Sequence, residues 1–357
     1  MVVTEKCNLA CKYCYMHNNP IDMTEEIVDK TFELLPTILQ SYSHNDCSII
    51  YFGGEPLKNY NIIKYIHEKA KNNHFINSEV LISNLLCIND DIIDWITNEN
   101  VNVSWSFDGL WNENNRVLVD GSSSLDAYIK KIDDIKRLTV GCKVMISPAS
   151  IPTMLDNVEF MYNTLGIKSL DYTIVRDDIW SEEDIENFKE QIIKLADLYI
   201  DYIERDSDLN IYLFSLPLLD MIVGKRQGKR PFGCFAGNSG IAIMPNGDMY
   251  PCPRFGTNKE FKYGSVYNPD FNNMCELNKT VYINPIEIEQ CKKCKLYTYC
   301  NAGCTYSQLK NGSKPLESIC KLYHIIYAES LRIFNTFKDK KDYRYLDRIV
   351  LQLNNIG

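Results

Sequence analysis

The stretch Thr4-Glu5-Lys6-Cys7-Asn8-Leu9-Ala10-Cys11-Lys12-Tyr13-Cys14-Tyr15 decides how this chain is to be read. Its three cysteines stand as C-x3-C-x2-C, directly after the short β-branched run Val2–Thr4. A structural zinc site takes four ligands. Three thiolates on one loop suit a [4Fe–4S] cluster in which one iron stays open to an exogenous ligand, with zinc as the alternative on spacing alone. The 357 residues include 14 cysteines and five histidines, none of the latter in an H-E-x-x-H arrangement, so any metal site must rest on thiolates. The N-terminal stretch shows no basic region followed by an apolar core. We therefore expect a cytoplasmic protein with free thiols rather than a disulfide framework.

Outward from the triad, short β-branched runs alternate with helical patterns as far as about residue 205. Predicted strands are Val2–Thr4, Ser48–Phe52, Glu79–Ser83, Val101–Phe107, Lys143–Ser147 and Leu170–Val175. Thr24 reads as the N-cap of the first helix, with Pro36 expected to bend it. Ser181, followed by Glu182, Glu183 and Asp184, opens another. Six strand–helix units imply parallel strands with right-handed crossovers, too few for a closed eight-unit barrel. The expected fold class is α/β: a partial (β/α)6 TIM-type barrel, open on one side. The triad's loop then lies on the face where barrel enzymes keep their chemistry.

Beyond residue 206 Gly and Pro become frequent, and Ile241–Met244 and Asp248–Tyr250 flank Asn246-Gly247 as a hairpin. Cys234 and Cys252 bracket that hairpin; Cys291, Cys294, Cys300 and Cys304 follow as C-x2-C-x5-C-x3-C, and then Cys320. A pair of zinc sites stapling a small domain is the bland reading of this array. A helical tail is expected from about Lys321 to Leu353. Cys47, Cys87 and Cys142, within or near strand patterns, read as small apolar core residues. The net charge of −9 argues against a nucleic-acid binder. The most apolar stretch, Tyr212 to Gly224, is short and interrupted by Pro217 and Asp220, so no membrane span is expected.

The triad segment, with Tyr13 just before the third cysteine, resembles the signature of the radical S-adenosylmethionine (SAM) superfamily. Gly53-Gly54-Glu55-Pro56, at the end of the second predicted strand, resembles that family's motif for the SAM amino group; alone it would read as a surface turn. Asn84, after Ser83, and Ser106, in Ser106-Phe107-Asp108-Gly109, resemble family positions near SAM, and they also suit ordinary strand ends. The later cysteine array resembles the SPASM domain, a C-terminal extension with two auxiliary [4Fe–4S] clusters. The resemblance implies barrel residues 1–205, a bridging region 206–232, a SPASM domain 233–325 with a hairpin and a helix, and a helical tail 326–357.

By position, the resemblance assigns Cys7, Cys11 and Cys14 to the SAM-binding cluster. It assigns Cys291, Cys294, Cys300 and Cys320 to an outer auxiliary cluster, and Cys234, Cys252 and Cys304 to an inner one. Some members have an eighth cysteine, and Gly240 falls about where it would be. The inner cluster then has an open iron for a substrate thiolate, or Cys275 is the fourth ligand. Tyr13 would lie against adenine, and Gly53, Gly54, Glu55, Pro56, Asn84 and Ser106 would contact SAM.

The chemistry so implied is reductive cleavage of SAM to a 5′-deoxyadenosyl radical that abstracts hydrogen from a peptide or protein. Sulfatase-maturing members carry a catalytic Asp after the second cysteine of the array, whereas here Cys252 precedes Pro253 and Arg254. That departure favours a thioether or other crosslink in a ribosomally synthesised peptide over formylglycine formation. The further alternative is a non-enzymatic iron–sulfur electron carrier or scaffold. A one-electron donor such as flavodoxin or ferredoxin is an expected partner. The first strand is short for the family, so either a separate protein captures the leader peptide or the chain begins at an internal Met.

Overall fold

The computed structural model describes residues 1–138, 141–223, 234–282, 288–297, 300, 303–342, 344 and 345, with backbone alone at 219–223. The strands are β1 (Val2–Thr4), β2 (Leu9–Cys11), β3 (Cys47–Gly53), β4 (Ile76–Ser83), β5 (Asn102–Ser106), β6 (Arg116–Leu118), β7 (Cys142–Ile146), β8 (Ser169–Ile174) and β9 (Asn210–Ile211). Two short hairpin strands follow, β10 (Ala242–Ile243) and β11 (Met249–Tyr250). Seven of these form one sheet in the order β1-β3-β4-β5-β7-β8-β9, and the pairs β1–β3, β3–β4, β4–β5, β7–β8 and β8–β9 run parallel. The fold is α/β, an open partial barrel.

The connecting helices begin with α1 (Glu25–Tyr42), α2 (Tyr60–Lys71), α3 (Asp90–Asn98), α4 (Asn112–Asn115), α5 (Leu125–Lys136) and α6 (Met154–Glu159). They continue with α7 (Glu182–Glu204), α8 (Tyr212–Val223), α9 (Phe271–Val281), α10 (Glu289–Lys292), α11 (Thr305–Lys310) and α12 (Glu317–Asp339). Local chemistry places several of their starts. Thr24 caps α1 by accepting the Ile27 N–H, and Asn89 caps α3 by accepting that of Ile92. Ser181 and Asp184 form a reciprocal capping box on α7. Pro36, expected to bend α1, lies exposed inside a helix that runs unbroken to Tyr42.

The chain divides into two compact units. The first comprises Met1–Phe107, Asn112–Val140 and Cys234–Ile283. Its core is aromatic: Trp105 stacks on Phe107 at 4.5 Å between ring centroids, and Tyr128 leans on Phe107 at 4.8 Å. Tyr51 and Leu81 are buried on alternating strand positions, and Ile63 and Ile66 at helical spacing on α2. The second unit comprises Asp108–Trp111, Gly141–Gly233 and Asn284–Gly357. Val144, Ile146, Leu170 and Ile174 supply its strand core. Phe188, Ile192 and Leu195 line the buried stripe of α7, and α12 packs along α7 and α8. The predicted bridging region 206–232 contains β9 and α8, its remainder from 224 lying outside the described residues. The tail helix predicted over Lys321 to Leu353 is seen as α12, which begins earlier and ends at Asp339, where Lys340 caps it and Lys341 takes a left-handed φ of +55°; residues beyond 345 lie outside the described ones.

Candidate active site

In the first unit, β1 delivers the chain into the cysteine loop, and the end of β3 holds that loop by its backbone. The Gly54 N–H donates to the Thr4 carbonyl at 2.9 Å, and the Glu55 N–H to the Lys6 carbonyl at 2.8 Å. The approach is so close that a Cβ at Gly53 would stand 2.2 Å from the Thr4 oxygen, and one at Gly54 2.5 Å from the Lys6 oxygen. The loop is also pinned by Asn18, whose side-chain oxygen accepts the Cys7 N–H at 2.9 Å. Its middle forms β2, which pairs antiparallel with β6 and sets Cys11 opposite Arg116. Cys7 and Cys11 are half-buried and Cys14 is exposed. Burial pushes the Cys7 thiol up to about 12, the Leu9 N–H opposes that shift, and Glu55, Cys11 and Cys14 add to it. The three thiols and Glu55 thus share one electrostatic neighbourhood, in which a thiolate forms readily only against a cation. This donor set fits a cluster bound by three thiolates.

Glu55 is 1% exposed, and burial raises its pKa. Its carboxylate accepts from Ser83 Oγ at 2.6 Å, the Asn84 N–H at 2.7 Å and the Leu57 N–H at 3.0 Å. Three of about four acceptor positions are therefore taken by the chain itself. Pro56 opens the following 3-10 turn, Pro56–Asn59, which Glu55 caps. Asn84 donates to Asn8, inside the cysteine loop, at 2.8 Å. The next residue, Leu85, is held at φ +60°, a left-handed conformation that costs a branched side chain about 1–2 kcal/mol. Cys87, expected in the core, is instead half-buried in the loop after β4, where burial first and then Glu55 push its thiol up to about 11. Cys47 is likewise half-buried; only Cys142 is a buried core residue.

Tyr13 is covered on one face by Arg116, whose guanidinium carbon lies 5.3 Å from the ring centre. Arg116 is 7% exposed, and its position was not legible from local pattern because its partner lies in another part of the chain. Ser106 ends β5, its carbonyl accepting from Tyr128 at 3.4 Å. In the second unit, Asp108 accepts the Met145 N–H at 2.8 Å, and Gly109, at φ +64°, lies where a Cβ would meet Asn157.

The hairpin β10–β11 turns at Gly247, whose φ of +84° suits glycine. Cys234 and Cys252 flank it in the first unit, both half-buried. At Gly240 a Cβ would stand 2.8 Å from that of Phe235, so a side chain there requires a shift. Cys275 is exposed on α9, and its electrostatic neighbours include Tyr42 and Lys279. Arg254, two residues after Cys252, lies over the Tyr15 ring at 5.1 Å, and Tyr15 stacks on Phe52.

In the second unit Cys291, Cys294, Cys300 and Cys320 line one cavity of about 410 Å³, with Leu296 and His324. Burial pushes the Cys320 thiol up to about 12, and nearby Cys300, Cys291 and Cys294 add to the shift. Four thiols around an apolar cavity fit a cluster with four cysteine ligands. Cys304 is the N-cap residue of α11 in the same unit. Among the described residues, no three His, Cys, Asp or Glu side chains converge as the ligands of a single metal ion would. No helix among them is long and apolar enough to cross a membrane.

Residues 1–149 match the radical SAM superfamily, and residues 234–305 match SPASM, an iron–sulfur cluster-binding domain. The radical SAM cyclopropyl synthase TigE of Paramaledivibacter caminithermalis is 22% identical over 97% of this chain and 75% of its own length. The cysteine-type anaerobic sulfatase-maturating enzyme of Clostridium perfringens is 21% identical over 84% of this chain and 85% of its own. Native anSMEcpe with bound AdoMet and Cp18Cys peptide superposes with a TM-score of 0.73 at 19% identity, covering 94% of this chain and 97% of that one. Cys7, Cys11 and Cys14 thus fall in a radical SAM domain and Cys234 to Cys304 in a SPASM domain, with Cys320 beyond the matched residues, and the chain carries both domains with SAM and [4Fe–4S] clusters as cofactors.

Proposed function

We propose that this radical SAM enzyme modifies a peptide, installing a thioether or other crosslink in a ribosomally synthesised precursor. The observation that carries the reading is the residue after Cys252. Pro253 opens a short 3-10 turn there, with no carboxylate to serve as the acid–base group of sulfatase maturation. Arg254, stacked on Tyr15 beside the cysteine loop, offers a cation to peptide carbonyls or carboxylates instead. When bound, SAM and the clusters supply the hydrogen-abstracting radical and take up the electron released as the new bond forms.

The chain's own residues bind, orient and shield. Cys7, Cys11 and Cys14 would hold the first cluster, and the Gly53–Gly54 backbone keeps their loop in place. The free acceptor position of Glu55 suits the SAM ammonium, with Pro56, Asn84 and Ser106 along the same strand ends. Tyr13 would lie against the adenine, while Arg116 suits a carboxylate. Cys291, Cys294, Cys300 and Cys320 would hold the outer cluster. By spacing, Cys234, Cys252 and Cys304 would hold the inner one, with a substrate thiolate or Cys275 completing it. The barrel would then be residues 1–205 and the SPASM domain 233–325. Flavodoxin or ferredoxin would supply the electron.

Sulfatase maturation is the second reading, favoured by the even two-way coverage of the Clostridium enzyme. Anaerobically reconstituted protein, given dithionite, SAM and either a cysteine-containing precursor peptide or a sulfatase-motif peptide, separates them by mass spectrometry. A peptide product lighter by two hydrogens, formed with 5′-deoxyadenosine and abolished in Cys11→Ala, is the expected result. Loss of the cysteine sulfur from the sulfatase peptide alone would establish the second reading. Absence of 5′-deoxyadenosine from fully loaded protein would sink both and return the chain to electron transfer.

A further inference from the structure

We propose that His324 tunes the outer auxiliary cluster by donating a hydrogen bond to the sulfur of Cys294. The inference rests on the assignment of Cys291, Cys294, Cys300 and Cys320 as ligands and adds a residue that this assignment does not contain. His324 lies on α12 four residues after Cys320. One helical turn therefore separates them on a common face, and both line the same cavity. The Nε2 of His324 stands 3.2 Å from Cys294 Sγ. That is a hydrogen-bond separation to sulfur. With Cys294 as a thiolate acceptor, Nε2 is the protonated nitrogen.

Two weaker donors reach the same set of sulfurs. The Leu296 N–H approaches Cys294 Sγ at 3.4 Å, and Gln290 Nε2 approaches Cys320 Sγ at 3.8 Å. Cys294 thus receives two donors, one from the backbone, which substitution cannot remove, and one from a side chain, which it can. Reduction adds negative charge to the cluster and its sulfurs, so an N–H aimed at a ligand sulfur favours the reduced state and raises the potential. His324 therefore acts through Cys294 as a positioning residue. It keeps the outer cluster easier to reduce than the four thiolates alone would.

The test is an EPR-monitored redox titration of the fully loaded enzyme beside His324→Leu and His324→Gln, with iron counted in each. At a fixed solution potential, His324→Leu should lower the reduced-to-oxidised ratio of one cluster about tenfold, about 59 mV for a one-electron couple, and leave the others unmoved. His324→Gln, which keeps an N–H donor on a side chain of similar reach, should recover most of that shift. Full iron with every potential unchanged in His324→Leu would overturn the proposal. Loss of one cluster's iron from both variants would overturn it as well, since His324 would then hold the cluster rather than tune it. A Cys291→Ala control that loses no iron would instead strike down the ligand assignment itself, which keeps the two failures apart.

Discussion

At Gly53 and Gly54 the glycine requirement comes from backbone, not from a ligand. A Cβ at 54 would stand 2.5 Å from a carbonyl oxygen of the cysteine loop, and neither β3 nor the loop can shift without breaking the two hydrogen bonds that join them. Gly54→Ala should therefore lose the first cluster selectively, about four of roughly twelve irons per chain, while SPASM iron remains. Iron analysis with EPR checks it; an unchanged iron count would show that the loop tolerates displacement. Tyr13 shows what sequence could and could not reveal. Its place before Cys14 proposes it as a SAM contact by resemblance, whereas its partner Arg116 sits on β6 and leaves no local trace. Removing the ring in Tyr13→Ala takes away the cation–π support of about 0.5–2 kcal/mol, so SAM binding, measured by equilibrium dialysis, should weaken up to about thirtyfold.

Among the elements, those that carry their own periodicity or cap were legible. All six predicted strands are present within a few residues of their expected ends, and the caps at Thr24 and Ser181 lie where predicted. What escaped was specified by partners far off in sequence. The three-residue strand β2 exists because β6 pairs with it, and β9 has two residues, too few for an alternation to show. Cys87 was misplaced for the same reason: the left-handed turn at Leu85 takes the chain out of the strand before it. Ser181→Ala should cost about 1 kcal/mol and lower the melting temperature by roughly 2 °C, with activity unaffected. A larger cost is expected behind the sheet, where His67, 2% exposed, bonds Glu79 at 2.7 Å and Glu99 at 3.1 Å. His67→Leu should destabilise by about 3 kcal/mol in chemical denaturation, because it leaves Glu79 without this partner in a largely buried site. The double variant His67→Leu/Glu79→Leu should recover part of that loss; additive costs would show that the two do not act as a pair.

Across the whole molecule, stability has two sources that respond differently to iron. The sheet rests on buried apolar side chains: Tyr51, Trp105, Phe107 and Tyr128 in the first unit, and Val144, Leu170, Phe188 and Leu195 in the second. None of these side chains is a candidate cluster ligand. Around Cys291–Leu296 the elements are short, with α10 only four residues long and exposed or half-buried throughout. Segments of that kind bury too little apolar surface to hold themselves, and a bound cluster supplies folding free energy that binding alone makes available. Stripping iron with an oxidant and a chelator should therefore speed amide exchange in the cysteine loop and around Cys291–Leu296, while amides of β3, β4 and β8 keep their protection. Hydrogen exchange read by mass spectrometry distinguishes the two regions in one experiment. Equal deprotection of the sheet would mean that the clusters nucleate the whole fold, and the barrel could then not be treated as a scaffold that stands before its iron arrives.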